Sequence, residues 1–334
     1  MLDVCLLGSG GMQPLPGRRL SAVLVRAGSS QILIDCGEGT QVAIRERGWG
    51  LGALDTILLT HMHADHVLGL PGLLLTLANA QRDPEAPLTI FGPEPLLAVL
   101  QGLLVVAPRL PFPVVAKVLA GGEQFSLPGY PGLTGACVAL THDIPCLAYA
   151  IELPRAPRFD ADRARALGIP VGSWRTLQRG DSVVVEGRAI TADQVLGAPR
   201  RGLRLVLATD TSPTPDLTEF VRHAGRGTDL LIADAMYANA DDKPTRWEAQ
   251  HLTFAEAATL ARAGLARRLW LTHFGPALVH PHDYLDNAAE IFPAAAVGED
   301  GMTTTLTFTD DSNSPDPPTV VGGSPPGQLL LPFE

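Results

Sequence analysis

The stretch Thr60-His61-Met62-His63-Ala64-Asp65-His66 decides the fold expected of this chain. It directly follows the apolar run 56–59, which places its polar residues at the end of a strand. Three imidazoles and a carboxylate are too many polar ligands for one core position. Two of them alternate along the chain and two are adjacent, so they cannot all face one ion. We therefore expect two metal ions, and zinc suits neutral imidazole combined with carboxylate. The alternative, a surface histidine cluster, is rare directly behind a strand.

Composition indicates a folded globular protein without a membrane span. The chain has 334 residues, of which 46% are hydrophobic, so it can bury a substantial core. The longest nearly unbroken apolar stretch, 96–107, is shorter than the roughly twenty residues that cross a bilayer. Residues 1–7 carry an acid and no basic region, which predicts a first strand rather than a signal peptide. We expect a cytoplasmic protein.

The cysteines do not predict a disulfide framework. Cys5, Cys36, Cys137 and Cys146 are widely separated, and no two form a Cys-x-x-Cys pair. This spacing is typical of reduced cysteines that act as small hydrophobic residues.

Charge is distributed unevenly along the chain. The net charge of −10 argues against broad nonspecific attraction to a polyanion. Between residues 151 and 204, however, ten arginines stand against six acids, a local balance of +4. The planar guanidinium suits phosphate, and a solvated face is the alternative interpretation.

The order of apolar runs predicts a chain of alternating strands and helices. Gly8-Ser9-Gly10-Gly11 is not a dinucleotide-binding loop, because Gln13 stands where a third glycine belongs and Pro14 follows where a helix should begin. Helices are predicted over 41–47 and 67–80. Strands are predicted over 3–7, 22–26, 32–35, 56–59, 203–210, 230–234, 268–273 and 303–309.

Composition also divides the chain into regions. One domain is expected over 1–309. The segment from about 150 to 200 is rich in Pro, Arg and Gly and predicts an inserted arm. Residues 310–334 are rich in Ser, Pro, Asp and Gly, and we expect a disordered C-terminal tail.

Three further residues extend the predicted metal site. His142, Asp210 and His273 each lie at or near the end of an apolar run, in the same setting as the cluster at 61–66. With that cluster they give seven candidate ligands. The remaining histidines lack this setting and are expected on the surface: His223, His280 and His282.

These motifs resemble the metallo-β-lactamase superfamily and, within it, the ribonuclease Z family, endonucleases that trim the 3′ trailer from precursor tRNA. The resemblance covers about residues 1–309 and implies an α/β fold, a four-layer αββα sandwich with an inserted arm. Beyond the histidine motif it rests on family-like stretches: 7–10 with Arg19 and Ser21, 35–41, 69–74, 168–170, Asp210-Thr211, and His251-x-Thr253.

The resemblance implies two Zn²⁺ per subunit and a role for each ligand. His61, His63 and His142 would bind one zinc, Asp65, His66 and His273 the other, and Asp210 would bridge them. A hydroxide held between the two ions would be the nucleophile, because paired cations lower the pKa of bound water and neutralise phosphoryl charge. Asp65 could also orient this hydroxide or accept its proton.

A general acid is implied by the same resemblance. His251 would protonate the departing 3′ oxygen, and the carboxylate of Asp234 would hold its tautomer. The family usually has a glutamate at the position of Asp234. The alternative interpretation of His251 is a residue that starts the helix predicted at 254–257.

The chain also departs from the family pattern. A Ser, Arg and Tyr set that grips phosphate is replaced by Gly275, Ala277 and Leu278, Ser212 replaces a frequent arginine, and the arm's Gly-Pro repeat is reduced to 168–173. The arm's arginines could compensate, because shape-based RNA recognition relies on backbone contacts. In the family the arm of one subunit clamps tRNA for the site of the other, so the resemblance implies a homodimer.

Three functional hypotheses follow. The first is a zinc-dependent endoribonuclease that acts on precursor tRNA. The second keeps two zinc ions but acts on a small phosphodiester or sulfate ester, and the third is a metal-stabilised binding protein without turnover. Separately, the apolar end of the tail, 328–334, faintly resembles peptides that dock bacterial sliding clamps and is a candidate docking segment.

Overall fold

The apolar runs build two β-sheets in the larger of two units. The computed structural model describes residues 1–80, 82–244 and 250–308 and the backbone of 329–330. The larger unit consists of Met1–Leu153 and Leu203–Thr307 together with the strand at 329–330, and the smaller one of Pro154–Gly202 with Phe308.

The first sheet has eight strands, which run antiparallel on one side and mainly parallel on the other. The strands are β1 (Leu2–Gly8), β2 (Ala22–Ala27), β3 (Ser30–Ile34), β4 (Leu54–Leu58), β5 (Leu88–Gly92), β6 (Val114–Val118), β16 (Met302–Leu306) and β17 (Leu329–Leu330). Their order across the sheet is β16-β1-β2-β3-β4-β5-β6-β17, with parallel pairing from β3 to β6.

Helices cover one face of this sheet. They are α1 (Thr40–Glu46), α3 (Leu70–Ala78) and α4 (Leu96–Leu103), and the short α2 (Ala64–Val67) precedes α3. The leucines of α3 recur at helical spacing, and Leu70, Leu73 and Leu77 are all buried. Pro71 lies in the first turn, where a missing N–H costs no helical hydrogen bond.

The second sheet has seven strands, four of them parallel. They are β7 (Gln124–Ser126), β8 (Thr134–Ala139), β9 (Leu147–Arg155), β12 (Arg200–Ala208), β13 (Leu230–Asp234), β14 (Leu269–Thr272) and β15 (Ala295–Val297). Their order is β15-β14-β13-β12-β9-β8-β7. Strands β12 to β15 are parallel, and their outer face packs against α7 (Pro215–Arg222), α8 (Phe254–Ala263) and α9 (Asp286–Ala289).

The two sheets bury their inner faces against each other. The ring of Phe91 on β5 stacks on the ring of Phe125 on β7 with centroids 4.7 Å apart. Tyr149 on β9 is fully buried, and its hydroxyl donates a hydrogen bond to the carbonyl of Leu59, 2.9 Å away. Helix, sheet, sheet and helix therefore follow one another, which confirms the predicted α/β sandwich.

The smaller unit has a core of its own. It contains α5 (Ala161–Ala166), α6 (Val171–Gln178) and the hairpin of β10 (Val183–Val185) and β11 (Arg188–Ile190). Its centre is formed by small and branched apolar residues: Ala164, Ile169, Leu177, Ile190 and Val195. Nine of the ten arginines counted between 151 and 204 lie in this unit.

Arg204 does not belong with the other arm arginines. It lies in β12 of the larger unit and is only 5% exposed. Its guanidinium pairs with Glu152 and donates a hydrogen bond to the carbonyl of Phe220. One of the ten arginines is therefore structural and is not available to bind phosphate.

Other sequence features are located as follows. All four cysteines have free thiols and are buried. Among the described residues, no helix is long and apolar enough to cross a membrane. The predicted disordered tail 310–334 and the candidate docking segment 328–334 lie outside the described residues, except for Leu329–Leu330, whose backbone pairs antiparallel with β6.

Candidate metal centre

The candidate centre lies where strand ends of both sheets meet. His61 and His63 follow β4, and Asp65 and His66 lie on the short helix α2. From the other sheet, the loops after β8, β12 and β14 bring the remaining predicted ligands: His142, Asp210 and His273. Carboxyl ends of parallel strands meet at one sheet edge, so residues far apart in the sequence converge there.

Three of the site residues have a left-handed backbone. Asp35, Asp210 and His273 have φ values of 58°, 56° and 60°. This conformation costs a side-chain-bearing residue roughly 1–3 kcal/mol, and it recurs at functional sites where packing enforces it. In this chain it directs the side chains of two predicted ligands into the centre.

The first group of ligand atoms is formed by three histidines. Nε2 of His61 lies 3.0 Å from Nδ1 of His63, and that atom lies 3.2 Å from Nε2 of His142. Burial lowers the pKa of His61 well below its ordinary value, so its ring is neutral and can bind a cation.

The second group combines two histidines and a carboxylate. Nε2 of His66 lies 3.2 Å from Nε2 of His273. Oδ2 of Asp65 lies 3.5 Å from the first of these nitrogens and 3.4 Å from the second. Burial tends to raise the pKa of Asp65, but the positive charge of His66 and the hydrogen bond from His273 hold it well below its usual range.

Asp210 lies between the two groups. Its Oδ1 is 3.8 Å from Nε2 of His61, and its Oδ2 is 3.3 Å from Nε2 of both His66 and His273. Asp210 is 3% exposed, and its Oδ2 accepts no hydrogen bond from any described residue. A buried carboxylate oxygen that accepts no hydrogen bond suits a cation, and the donor set fits two metal ions with Asp210 shared between them.

Asp35, which has no role in the sequence-based prediction, contacts the second group. Its Oδ2 lies 2.8 Å from Nδ1 of His66, and its Oδ1 accepts a hydrogen bond from the main-chain N–H of Thr60 at 2.8 Å. This contact fixes the ring of His66 with Nε2 facing the centre. Carboxylates commonly orient metal-binding histidines in this way. The sequence feature that could have identified Asp35 is the position of an acidic residue directly after the apolar run 32–34.

Asp143 is a second carboxylate without a predicted role. Its Oδ1 lies 3.0 Å from Nε2 of His142, and its Oδ2 lies 3.6 Å from Nε2 of His63. The side chain is 31% exposed, so it stands at the outer side of the first group.

The predicted general acid lies beside the centre. Nδ1 of His251 is 2.8 Å from Oδ2 of the fully buried Asp234, and its ring stacks on that of His273 with centroids 5.4 Å apart. Burial lowers the pKa of His251, but the charge and hydrogen bond of Asp234 outweigh it and raise the pKa to about 9. Thr253, not His251, is the residue that caps α8.

The structure thus brings together all seven predicted ligands and both predicted acid-base residues. The three histidines expected on the surface lie outside the cluster. His280 is exposed, His282 is exposed and pairs with Glu299, and His223 lies 3.9 Å from Glu152.

Comparisons of sequence identify relatives over nearly the whole chain. The family model described as "Anti-Pycsar protein Apyc1" matches residues 2–104. A ribonuclease Z of Lachnospira eligens is 42% identical over 312 residues, which cover 93% of this chain and 100% of that protein. A ribonuclease Z of Clostridium kluyveri is 41% identical over 309 residues, which cover 92% of this chain and 99% of that protein.

Solved structures share the fold. Human tRNase Z, short form, has a TM-score of 0.64 at 23% identity and covers 92% of this chain and 100% of its own. The metallo-beta-lactamase fold protein YhfI from Bacillus subtilis has a TM-score of 0.63 at 19% identity and covers 91% of this chain and 98% of its own. At these identities the likeness concerns the fold.

Proposed function

The chain belongs to the ribonuclease Z family, and from that membership we propose that it is a zinc-dependent endoribonuclease that removes the 3′ trailer from precursor tRNA by phosphodiester hydrolysis. One observation carries the proposal: two groups of ligand atoms share Asp210, and a histidine paired with a carboxylate stands beside them.

We propose that each subunit holds two zinc ions. His61, His63 and His142 would hold one, Asp65, His66 and His273 the other, and Asp210 both. When bound, the two cations would lower the pKa of an attacking water and neutralise charge on the phosphoryl oxygens. Support comes from the chemistry of the donors, imidazole nitrogens and buried carboxylates, which zinc prefers.

His251 is the group that would protonate the departing 3′ oxygen. Its Nδ1–H donates to Asp234, which leaves Nε2–H available to the leaving group. With a pKa of about 9, the ring carries this proton near neutral pH. Asp234 is fully buried and also accepts the main-chain N–H of Asp210 at 3.1 Å, so one carboxylate positions both the acid and the shared ligand.

Asp65 has a second proposed role beside metal binding. Its Oδ2 accepts the main-chain N–H of Met12 at 2.6 Å, which fixes the orientation of the carboxylate. From there it would orient the attacking water.

The arm would supply affinity for tRNA. Six of the nine arginines of the smaller unit are exposed: Arg158, Arg163, Arg165, Arg175, Arg179 and Arg188. Such residues bind the phosphate backbone without reading sequence. We propose that the protein acts in the cytoplasm as a homodimer, in which each arm serves the site of the other subunit. Light scattering coupled to size exclusion tests the dimer, and a monomeric mass at assay concentration contradicts it.

Cleavage of a trailer-bearing tRNA precursor tests the proposed function. We expect one cut at the 3′ end of the tRNA body, abolished by a chelator and restored by added zinc. His251→Ala and His280→Ala form a matched pair, because only the first removes a histidine at the centre. Absence of a metal-dependent cut near the discriminator base means that tRNA is not the substrate.

The second candidate is a phosphodiesterase or sulfatase that acts on a small ester. Gly275, Ala277 and Leu278 favour it, since they present no phosphate-gripping side chain after His273. Turnover of bis-p-nitrophenyl phosphate by a protein that leaves the tRNA precursor intact would support this candidate.

A further inference from the structure

An apolar cavity of about 370 Å³ adjoins the metal centre. Its walls include Met12, Met236, Tyr237, Leu278 and Tyr284. Two of these residues, Met12 and Met236, are connected to the metal centre by main-chain hydrogen bonds. The N–H of Met12 donates to Asp65 at 2.6 Å, and the N–H of Met236 donates to Asp234 at 3.0 Å.

The charge of the described lining residues disfavours phosphate as the occupant. Among the described residues that line the cavity, none is a lysine or arginine, and the one charged residue is Asp242. Its carboxylate is engaged by the main-chain N–H of Asn239 at 2.9 Å. An anion placed here would meet the negative charge of Asp242, whereas a flat neutral group would meet aromatic and thioether surfaces.

Arg18 bonds to the main chain of the wall formed by Leu278 but is not among the residues that line the cavity. It donates to the carbonyl of Leu278 at 2.8 Å and to that of Val279 at 3.0 Å. Its guanidinium therefore holds the loop that forms this wall, and two of the carbonyl groups of that loop are engaged by it.

We propose that this cavity binds the nucleobase of a nucleotide that flanks the scissile phosphodiester. A base is planar and neutral, stacks on tyrosine whatever its identity, and contacts methionine sulfur favourably. Tyr284 is 39% exposed and Met12 61% exposed, so both stand at the open side where a strand can reach them. Stacking of the base in this cavity positions the substrate in place of the phosphate-binding Ser, Arg and Tyr set that the sequence resemblance implied. This inference rests on the proposed function.

Abasic substitution identifies the base that occupies the cavity. A series of tRNA precursors carries one abasic nucleotide each, at successive positions on both sides of the cut. At one flanking position, we expect kcat/KM of the wild-type protein to fall by about tenfold, within the range of stacking on an aromatic side chain. Tyr284→Ala lowers kcat/KM on the intact precursor similarly, and the two changes together cause no further loss.

Two more variants make this result specific. Ala277→Trp fills the cavity without removing a wall, and we expect the same loss as for Tyr284→Ala. Tyr130→Ala removes a tyrosine that packs against Gly28, away from the cavity, and should behave as wild type. Abasic losses that are absent at every flanking position, or that multiply with Tyr284→Ala, overturn the proposal.

A binding measurement separates this inference from the proposed function. Calorimetry on the zinc-loaded full chain compares adenosine 5′-monophosphate with ribose 5-phosphate, which differ by the base. We expect the nucleotide to bind about tenfold more tightly, and Ala277→Trp to abolish the difference. If the protein prefers the nucleotide but leaves tRNA intact, the proposed function is refuted and the base-binding cavity is not. If both compounds bind equally or undetectably while tRNA is cleaved, the proposed binding of a base in the cavity is refuted and the proposed function is not.

Discussion

Nδ1 of His251 lies 2.8 Å from Oδ2 of Asp234, a contact that joins the loop before α8 to the end of β13. An aspartate reaches the ring at a position where the sequence resemblance implied the longer glutamate. Because Nδ1–H donates to Asp234, Nε2 is the nitrogen that can give a proton to the leaving group. We therefore propose that His251 acts in proton transfer and not as an eighth ligand.

Replacement of His251 separates catalysis from metal binding. For His251→Ala we expect kcat on precursor tRNA to fall by about 10²- to 10⁴-fold, the usual contribution of a general acid. Zinc content, measured by mass spectrometry of the purified protein, should remain that of wild type. His280→Ala is the matched control. Loss of zinc together with activity would show that His251 is instead a ligand.

Metal removal should lower stability as well as activity. Without cations, Asp65 and Asp210 remain buried among histidines, and Oδ2 of Asp210 has no donor among the described residues. Ligand binding at a thousand times Kd stabilises a fold by about 4 kcal/mol, so we expect a clear drop in Tm after chelation. Titration of zinc into the stripped protein should restore Tm at two ions per chain. Saturation at one ion contradicts the paired site.

The fold and the ligands could be predicted from the sequence because apolar runs and polar strand ends are local features. The helix predicted over 67–80 is α3, shortened to Leu70–Ala78. It begins only after Gly69, because the main-chain N–H of Gly69 donates to the carbonyl of Cys36 at 2.9 Å and not to the carbonyl four residues earlier. Such a break depends on a contact between distant segments, which no local pattern contains.

The partners of the ligands were harder to predict for the same reason. Asp35 contacts His66, which lies 31 positions later in the sequence. The left-handed backbone at Asp35 is adopted by a residue other than glycine, so the sequence does not indicate it. Arg204 looked like one more arm arginine, although the larger unit buries it beside Glu152. The cavity lined by Tyr284 and Met12 combines segments from opposite ends of the chain.

Asp35 should tune the affinity for metal through His66. Asp35→Asn replaces a carboxylate that accepts hydrogen bonds from Thr60 and His66 with an amide that is a weaker acceptor. We expect zinc affinity to fall by about 10- to 100-fold, as is common for carboxylates behind metal-binding histidines. Competition with a chromogenic chelator measures it. Asp216→Asn, at an exposed position of α7, is the control, and unchanged affinity in Asp35→Asn would exclude the positioning role.

Gly11 should be intolerant of any side chain. A Cβ at this position would overlap the ring of His273, because the main chain of Gly11 passes directly over it. We expect Gly11→Ala to displace His273 and to reduce bound zinc from two ions toward one. Gly102→Ala is the matched control, since a Cβ there meets no atom within 4 Å. Two tightly bound ions in Gly11→Ala would show that the ring can move without leaving the metal.

The arm arginines should control affinity for tRNA without affecting the chemistry. Arg163, Arg175 and Arg179 are exposed in the smaller unit, and removal of each guanidinium that binds a phosphate should weaken binding and reduce its salt dependence. For the triple alanine variant we expect KM for precursor tRNA to rise by about tenfold or more, with turnover of bis-p-nitrophenyl phosphate unchanged. The control removes three exposed arginines of the larger unit: Arg45, Arg109 and Arg222. An equal rise in KM for both triple variants would mean that net charge, and not the arm, attracts the RNA.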